Sequence, residues 1–279
     1  MIVGPWVSVW KRRMRAYAIK NNIPIPTGFR PRTPYWGHYA EVLAIRVKTH
    51  GGVKNPTGKL DGQLRKVLYH TVVEPSDLPP PFAGIDVSNH NGTIAWGAVP
   101  KDIKFVWAKA TEGYTFVDRY FDENYDGAKR NGFTVGAYHF MRADSPTGVR
   151  GQMDHFFRHN RYTDGDLLPV LDWENTKGST VDVPSQAATL EAAVRYVEQK
   201  IGRLPVIYSG AYVLHANQFS RNSVVKKCPL WIAAYPHVPF VPDPWKAYDV
   251  HQYSSSGSVK GINGRVDMNT SFVPLSVLT

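Results

Sequence analysis

From residue 83 onward, short apolar runs alternate with amphipathic segments. The apolar runs are typical of buried strands, and the segments between most of them show the apolar periodicity of helices. The strands are predicted at 83–88, 104–110, 133–140, 167–173, 204–209, 229–234, 249–253 and 264–267. Helical spacing is clearest over 121–128, from Ser145-Pro146 to Phe157, and from Ser185 to Gly202.

Strand and helix alternate along this part of the chain, which indicates a parallel sheet. Eight strands in about 200 residues predict an α/β barrel of the TIM type. The segments between the last strands are loop-like, so we expect an irregular TIM-like barrel with degenerate final helices over residues 83–279. An open doubly wound sheet is the alternative. It would usually carry a Gly-rich phosphate loop after the first strand, and Ser88-Asn-His-Asn-Gly92 is not such a loop.

Residues 1–70 follow a different pattern. Trp6, Trp10 and Met14 recur by fours, with basic residues largely on the other face, which predicts an amphipathic helix. Thr33-Pro34 is a plausible start for a second helix, and a third apolar repeat follows. We therefore predict a small α-helical domain before the barrel. The alternative is a helical spacer that binds no ligand.

The charge of the chain is concentrated in this first region. The 279 residues carry a net charge of +10, and residues 1–80 hold 13 Lys and Arg against 4 Asp and Glu. Residues 81–279 are nearly balanced, at 20 against 19. Four prolines in residues 71–82 predict a semi-rigid linker between the two regions. A basic module suggests a polyanionic partner such as nucleic acid, an anionic membrane or the bacterial wall, although a generically soluble basic surface is an alternative.

Several classes of protein are excluded or disfavoured. No stretch reaches 18 uninterrupted apolar residues, so no membrane-spanning helix is predicted. One cysteine allows neither an intrachain disulfide nor a four-thiolate zinc site. His90, His139 and His251 lack the spacing of metal ligands, so we expect no metal and no cofactor. The start, Met1 to Trp6, has no secretory signal pattern, so we expect synthesis in a cytoplasm without an export address.

Polar and acidic residues cluster where the predicted strands end. In parallel barrels the chemistry is found at the carboxyl ends of the strands. Carboxylates delivered by four strands to one opening are not explained by packing, because burying an unpaired carboxylate is costly. The carboxylates at these ends are Asp86, Glu112, Asp172 with Glu174, and Asp267; the other side chains there are Tyr138, Tyr208, Trp231, Tyr235 and Gln252.

Asp172 and Glu174 are the most informative pair. Residues i and i+2 of a strand point to the same face, so both carboxyl groups should face the barrel opening, with Trp173 turned away. Glycoside hydrolysis uses one neutral carboxyl to protonate the leaving oxygen and one ionised carboxylate to stabilise the charged sugar. Aromatic rings in the same rim suit sugar faces, although core packing is the ordinary role of any single aromatic.

Seven short motifs, in order and with plausible spacing over residues 83 to about 275, together resemble glycoside hydrolase family 25, the Chalaropsis-type lysozymes. They are Gly84-Ile-Asp-Val-Ser88, Lys109-Ala-Thr-Glu-Gly113, Gly136-Ala-Tyr-His-Phe140, Leu171-Asp-Trp-Glu174, Leu230-Trp-Ile-Ala-Ala-Tyr235, Gln252-Tyr-Ser254 and Val266-Asp-Met-Asn269. The resemblance implies a barrel of five β/α units and three further strands. It also implies N-acetylmuramidase activity on the β-1,4 bond between N-acetylmuramic acid and N-acetylglucosamine in peptidoglycan.

The same resemblance implies roles for individual residues. The acid/base glutamate falls on Glu174, the assisting aspartate on Asp172, and the other site carboxylates on Asp86 and Asp267. Glu112 matches a position that contacts substrate or tunes charge. Trp173 departs from the small or aliphatic residue that the family often has between the paired acids. Either the acetamide of the sugar or Asp172 itself is the nucleophile.

The first region resembles, more loosely, the small helical peptidoglycan-binding domain found beside wall hydrolases, through Val9–Met14 and Leu60–Leu64. Together with the absence of a recognisable export signal, this favours a phage endolysin that is released through the pore of a separate holin and acts on the wall. A bacterial autolysin exported by another route, or a truncated gene model, is the runner-up. A non-catalytic glycan-binding protein stays open as well. A nucleic-acid-binding protein is disfavoured, since no zinc-finger, ribonucleoprotein or clear helix-turn-helix pattern is present, and we expect no membrane insertion.

Overall fold

The structure, a computed structural model, describes residues 81–142, 148–174, 183–217, 219–220, 223–235, 241–245 and 247–279, together with Ile23 and Pro239. The chain divides into two units, Met1–Pro81 and Phe82–Thr279. The fold described below is that of the second unit. The helices predicted for residues 1–70, and nearly all of the linker predicted for 71–82, lie outside the described residues and stay predictions.

The described residues of the second unit form nine strands and four α-helices. The strands are β1 Phe82–Val87, β2 Ile103–Glu112, β3 Phe116–Val117, β4 Thr134–Phe140, β5 Val170–Asp172, β6 Val206–Gly210, β7 Leu230–Ala233, β8 Val250–Gly257 and β9 Val266–Ser271. The helices are α1 Phe121–Arg130, α2 Val149–His159, α3 Val183–Ile201 and α4 Ala211–Ala216. Single turns of 3₁₀ helix lie at Asn89–Asn91, Trp96–Ala98, Val224–Lys227 and Leu275–Val277.

Eight of the strands close into a barrel in the order β1-β2-β4-β5-β6-β7-β8-β9, and β9 pairs with β1. Each neighbouring pair from β1 to β8 is parallel. The last strand, β9, runs antiparallel to both β8 and β1. The short strand β3 forms a hairpin on β2 outside the barrel. The predicted irregular barrel is therefore confirmed, and the open doubly wound sheet is wrong.

The first α-helix shows why the periodic pattern was a reliable guide. Phe121, Tyr125 and Ala128 are buried at positions one helical turn apart and form the face that packs on the strands. Acidic side chains occupy the first turn and basic side chains the last, which suits the helix dipole. The helix ends before Gly132, whose φ of 81° favours glycine. In the described part of the chain, no helix is both long and apolar enough to cross a membrane.

Two elements differ from the sequence-based expectation. The strand predicted at 167–173 is reduced to β5, because Pro169 immediately before it has no backbone N–H to donate to a neighbouring strand. No helix was predicted after the strand at 204–209, yet α4 forms directly after β6. Six residues are too short a segment to show a helical repeat.

Large aromatic rings fill the barrel interior. On β2, Phe105 and Trp107 belong to the interior cluster, while Val106 and Ala108 belong to the layer beneath the helices. Each buried side chain of this size stabilises the fold by about 1.5–3 kcal/mol. The Phe105 ring needs Gly84 on the adjacent strand, because a Cβ there would lie 2.3 Å from the ring.

Candidate active site

The carboxyl ends of the parallel strands surround one cavity. Side chains alternate along a strand, so the residue two positions beyond an interior side chain points to the same side. On β2 the interior residues Phe105 and Trp107 are followed by Lys109. On β5 the interior residue Val170 is followed by Asp172. The polar residues that follow the apolar interior residues on these strands therefore point to the same side and lie at the opening of the barrel.

The cavity has a volume of about 280 Å³, near the lower end of the roughly 300–1,000 Å³ found for small-molecule sites. It brings together every predicted site residue except Glu112. Its lining consists of Asp86, Ser88, His90, Lys109, Tyr138, Phe140, Asp172, Glu174, Tyr208, Trp231, Tyr235, Gln252 and Asp267. In the described residues, no group of three or more His, Cys, Asp or Glu side chains is arranged to hold a metal ion.

Asp172 and Glu174 both reach this cavity, one from the last position of β5 and one from just beyond it. Asp172 is only 6% exposed, whereas Glu174 is accessible to solvent. Trp173 between them is turned away and buried, and its indole N–H donates to Asn217 Oδ1 at 2.7 Å. The large residue at this position is thus accommodated on the helix side of the barrel and leaves the two acids on one face.

Burial and mutual repulsion change the protonation of this pair. Burial, followed by the charge of Glu174, raises the pKa of Asp172 well above its usual range. Desolvation also raises the pKa of Glu174, with Lys109 opposing the shift. The pair therefore holds a proton at a pH where an isolated carboxyl would be ionised.

Asp86 lies on the inner face of β1 and is held by two side-chain amides, one from β8 and one from β9. Gln252 Nε2 donates to Asp86 Oδ2 at 2.9 Å, and Asn269 Nδ2 donates to the same oxygen at 2.7 Å. Burial, followed by the charge of Asp267, raises the pKa of Asp86 to about 8 despite these bonds. Burial therefore favours the neutral form of this carboxyl.

Asp267 reaches the rim in a way that the sequence pattern did not predict. It was expected at the carboxyl end of a parallel strand, but it is the second residue of the antiparallel strand β9. Because β9 runs in the opposite direction, its amino end lies at the same rim, and Asp267 is directly opposite Asp86 in the β1–β9 ladder. Desolvation raises the pKa of Asp267.

Glu112, predicted to contact substrate or tune charge, lies outside the cavity wall. Its Oε2 accepts from Lys109 Nζ at 2.7 Å, and its Oε1 accepts from Arg142. Partial burial raises the pKa of Glu112, but the hydrogen bond and charge of Lys109, then those of Arg142, outweigh this and lower it. This arrangement supports the charge-tuning role, since Glu112 orients the lysine that faces the paired acids.

The aromatic side chains of the rim divide into two groups. Tyr138 and Tyr235 are partly exposed along the cavity wall, and the Tyr235 ring is 45% exposed. Trp231 is only 2% exposed; it stacks on Trp107 with ring centroids 4.5 Å apart, and its N–H donates to Asn269. The structure therefore places Trp231 at the cavity floor, where little of its surface is free to contact a sugar.

Two residues that organise the site were not predicted as members of it. Lys109 lies in the wall, between the rings of Phe116 and Phe140, with its Nζ 5.3 and 5.1 Å from their centroids. Asn269 joins Trp231 to Asp86 and is fully buried. Strict alternation from Trp107 would have identified Lys109. Alternation from Asp267 would likewise have placed Asn269 on the inward face of its strand, but not its contacts with Trp231 and Asp86.

Comparisons of the sequence with known proteins agree with this geometry. The sequence model for glycosyl hydrolases family 25 matches residues 85–262. The chain is 34% identical over 191 residues to the autolytic lysozyme of Clostridium acetobutylicum, and the match covers 67% of the chain and 54% of that protein. It is 33% identical to lysozyme M1 of Streptomyces globisporus, over 67% of the chain and 66% of that protein. The N,O-diacetylmuramidase of a Chalaropsis species is 29% identical, with 66% of the chain and 95% of that protein covered.

Solved structures show the same architecture. A bacterial lysozyme from Streptomyces coelicolor superposes with a TM-score of 0.65 at 30% identity, over 71% of this chain and 95% of that one. A family GH25 lysozyme from Aspergillus fumigatus superposes with a TM-score of 0.63 at 27% identity, over 71% and 97%. The chain spans about half the length of the Clostridium relative, so these likenesses concern the barrel.

Proposed function

The chain belongs to glycosyl hydrolase family 25, and from that membership and the geometry of Asp172 and Glu174 we propose that it is an N-acetylmuramidase of bacterial peptidoglycan. The bond cleaved is the β-1,4 link from N-acetylmuramic acid to N-acetylglucosamine. The single observation that carries this proposal is the pair of carboxyl groups, Asp172 and Glu174, on one face at the rim of the cavity. The proposal also draws on relatives that are named lysozymes and diacetylmuramidases.

Glu174 is the general acid of this scheme. It is the solvent-accessible member of the pair and can hand its proton to the leaving glycosidic oxygen. Once the leaving sugar has departed, the same carboxylate can remove a proton from the attacking water. Lys109 faces the pair and limits how far its pKa rises, which keeps the proton transferable.

Asp172 suits an assisting role better than direct attack. Its Oδ1 is buried and has no hydrogen-bond partner among the described residues, so it can accept the N–H of the 2-acetamido group of the sugar. This feature favours attack by the acetamide oxygen, with Asp172 orienting the amide and stabilising the cyclic cation.

The proposed bond specificity is tested by mass spectrometry of purified peptidoglycan digested with the full chain. We expect new reducing ends on N-acetylmuramic acid, because Glu174 protonates the oxygen that leaves with N-acetylglucosamine. Heat-inactivated protein is the control. Reducing ends on N-acetylglucosamine, or freed stem peptides, would instead indicate a glucosaminidase or a peptidase or amidase, and the proposal would be wrong.

We further propose that residues 1–70 bind the wall, because the net positive charge of the chain is concentrated there. Replacing four basic residues of this region by Gln in the full chain should weaken cosedimentation with purified walls about tenfold at low salt, with a smaller difference at high salt. The four residues are Lys11, Arg12, Arg13 and Arg15.

A matched control removes four exposed basic residues from the barrel unit instead. These are Arg130, Arg158, Arg195 and Lys200. Both proteins should also carry Glu174→Gln, so that the wall is not digested during the measurement. Equal loss of binding in the two variants would show that net charge, not the first region, drives wall binding.

Action on the bacterial cell wall follows from the proposed activity. We also propose that the protein is a phage endolysin, which is released from the host cytoplasm through the pore of a separate holin. A bacterial autolysin is the second setting, and the named autolytic relative favours it.

A further inference from the structure

The two oxygens of the Asp86 carboxyl have different surroundings. Oδ2 accepts two amide N–H groups, from Gln252 and Asn269. Oδ1 accepts no hydrogen bond from any described residue, and Asp86 is part of the cavity wall. The carboxyl is 7% exposed, so Oδ1 has little access to bulk water. Among the described residues, Oδ2 therefore has two hydrogen-bond donors and Oδ1 has none.

The orientation of both amides follows from their other partners. An indole N–H can only donate, so the Trp231 N–H, 2.8 Å from Asn269 Oδ1, makes Asn269 present its NH₂ group to Asp86. Gln252 Oε1 accepts from the hydroxyls of Tyr208 and Tyr235 at 2.8 and 2.9 Å, which leaves Gln252 Nε2 for Asp86. With two N–H groups directed at Oδ2, a proton on Asp86 has to be on Oδ1.

The surroundings favour that proton. Asp267 lies directly opposite across the β1–β9 ladder, and a second ionised carboxylate this close is repelled by the first. Burial and this repulsion raise the pKa of Asp86 to about 8. The titratable side chains that share the cavity with Asp86 are His90, Lys109, Tyr138, Asp172, Glu174, Tyr208, Tyr235 and Asp267.

We infer that Asp86 takes part in substrate binding as a neutral carboxylic acid, with its proton on Oδ1, and donates a hydrogen bond to an acceptor oxygen of the sugar. The inference rests on the proposed function and adds a specificity element to the same site. The hydroxyls of Tyr208 and Tyr235 already donate to Gln252, so toward substrate they can only accept. Lys109 donates one of its three N–H groups to Glu112. The Asp86 O–H therefore supplies a hydrogen bond to a hydroxyl, ether or carbonyl oxygen of the sugar. The neighbouring tyrosines cannot donate this bond.

The test is Asp86→Asn in the full chain, with a soluble peptidoglycan oligosaccharide as substrate. The amide oxygen of Asn can accept from Gln252 and Asn269, and its NH₂ group can replace the acid O–H. Wild-type KM should rise about tenfold from pH 7 to pH 9 as the donor ionises, with a midpoint near the pKa of about 8, and KM of the variant should stay constant.

Asp118→Asn is the matched control, since Asp118 is also buried but its oxygens accept the backbone N–H groups of Asn89 and Tyr120 outside the cavity. It should leave the rise of KM with pH in place. If Asp86→Asn does not fold, Asp267→Asn replaces it. Removing the opposing carboxylate should move the rise in KM to lower pH.

A loss of more than about 100-fold in kcat/KM for a folded Asp86→Asn would overturn the inference, because it would mean that the negative charge is required. A wild-type KM that does not change with pH, or an Asp267→Asn profile that does not move, would overturn it as well. Failure of the proposed function would look different: the wild-type protein itself would release no reducing N-acetylmuramic acid ends.

Discussion

Glu174→Gln is expected to reduce muramidase turnover by about 10²–10⁴-fold, the usual contribution of a general acid. The loss corresponds to about 3–5 kcal/mol of transition-state stabilisation. Gln has almost the same shape as Glu and can still contact Asp172, but it has no acidic proton for the leaving oxygen. The effect should fall on kcat, measured on a soluble oligosaccharide, with the melting temperature and wall binding close to wild type.

Glu123→Gln is a suitable control for this experiment. Glu123 is exposed in the first turn of α1 and is not part of the cavity wall. The same chemical change there should leave turnover unchanged. Activity of Glu174→Gln within a few-fold of the wild-type rate would mean that another group supplies the proton, and the assignment of the acid would be wrong.

Asp172→Asn is expected to have the second-largest effect, a loss of about 10²–10³-fold in kcat, within the range for a removed electrostatic stabiliser. The variant can no longer place a negative charge beside the cation formed by the acetamide. A stable thiazoline that mimics this cyclised intermediate should bind the wild type more tightly than the variant. A covalent sugar adduct trapped on Asp172 with a fluorosugar would contradict this role, since it would show direct attack.

The same substitution should stabilise the folded protein at neutral pH. Burial raises the pKa of Asp172 above its usual value of 3.8, so the unfolded chain releases this proton at a lower pH than the folded chain does. Stability is therefore lost progressively as the pH rises above about 4, and Asn removes that loss. A gain of roughly 1–3 kcal/mol is expected from the removal of a poorly paired buried acid.

Thermal unfolding at several pH values measures this gain. Since 1 kcal/mol shifts Tm by about 2–4 °C in a domain of this size, the difference should be visible at pH 7 and absent below pH 4. Asp118→Asn serves as the control, because one of its two hydrogen bonds to backbone N–H groups is lost without relief of an unfavourable charge. A variant of Asp172 that is less stable than wild type at pH 7 would show that Asp172 is well paired in the folded state.

Periodicity in the sequence was sufficient to identify the strands of the barrel and the faces of several side chains. The two-residue spacing of Asp172 and Glu174 places both on one face in the structure as well, and the buried Trp173 lies on the other. The repeat of Phe121, Tyr125 and Ala128 likewise specified both the helix and its buried side. Such features depend on a strand or helix alone, because the backbone geometry sets where successive side chains point.

The partners of those side chains were decided only by the tertiary structure. The antiparallel direction of β9 puts Asp267 opposite Asp86, and barrel closure brings Gln252 and Asn269 to the same carboxyl. These contacts join residues 166 to 183 positions apart in the chain. Local spacing cannot encode such pairings, because they arise when many strands satisfy their hydrogen bonds and bury their apolar faces at the same time. The sequence by itself therefore determined that Asp172 and Glu174 share the face at the opening, and barrel closure decided which residues surround each acid.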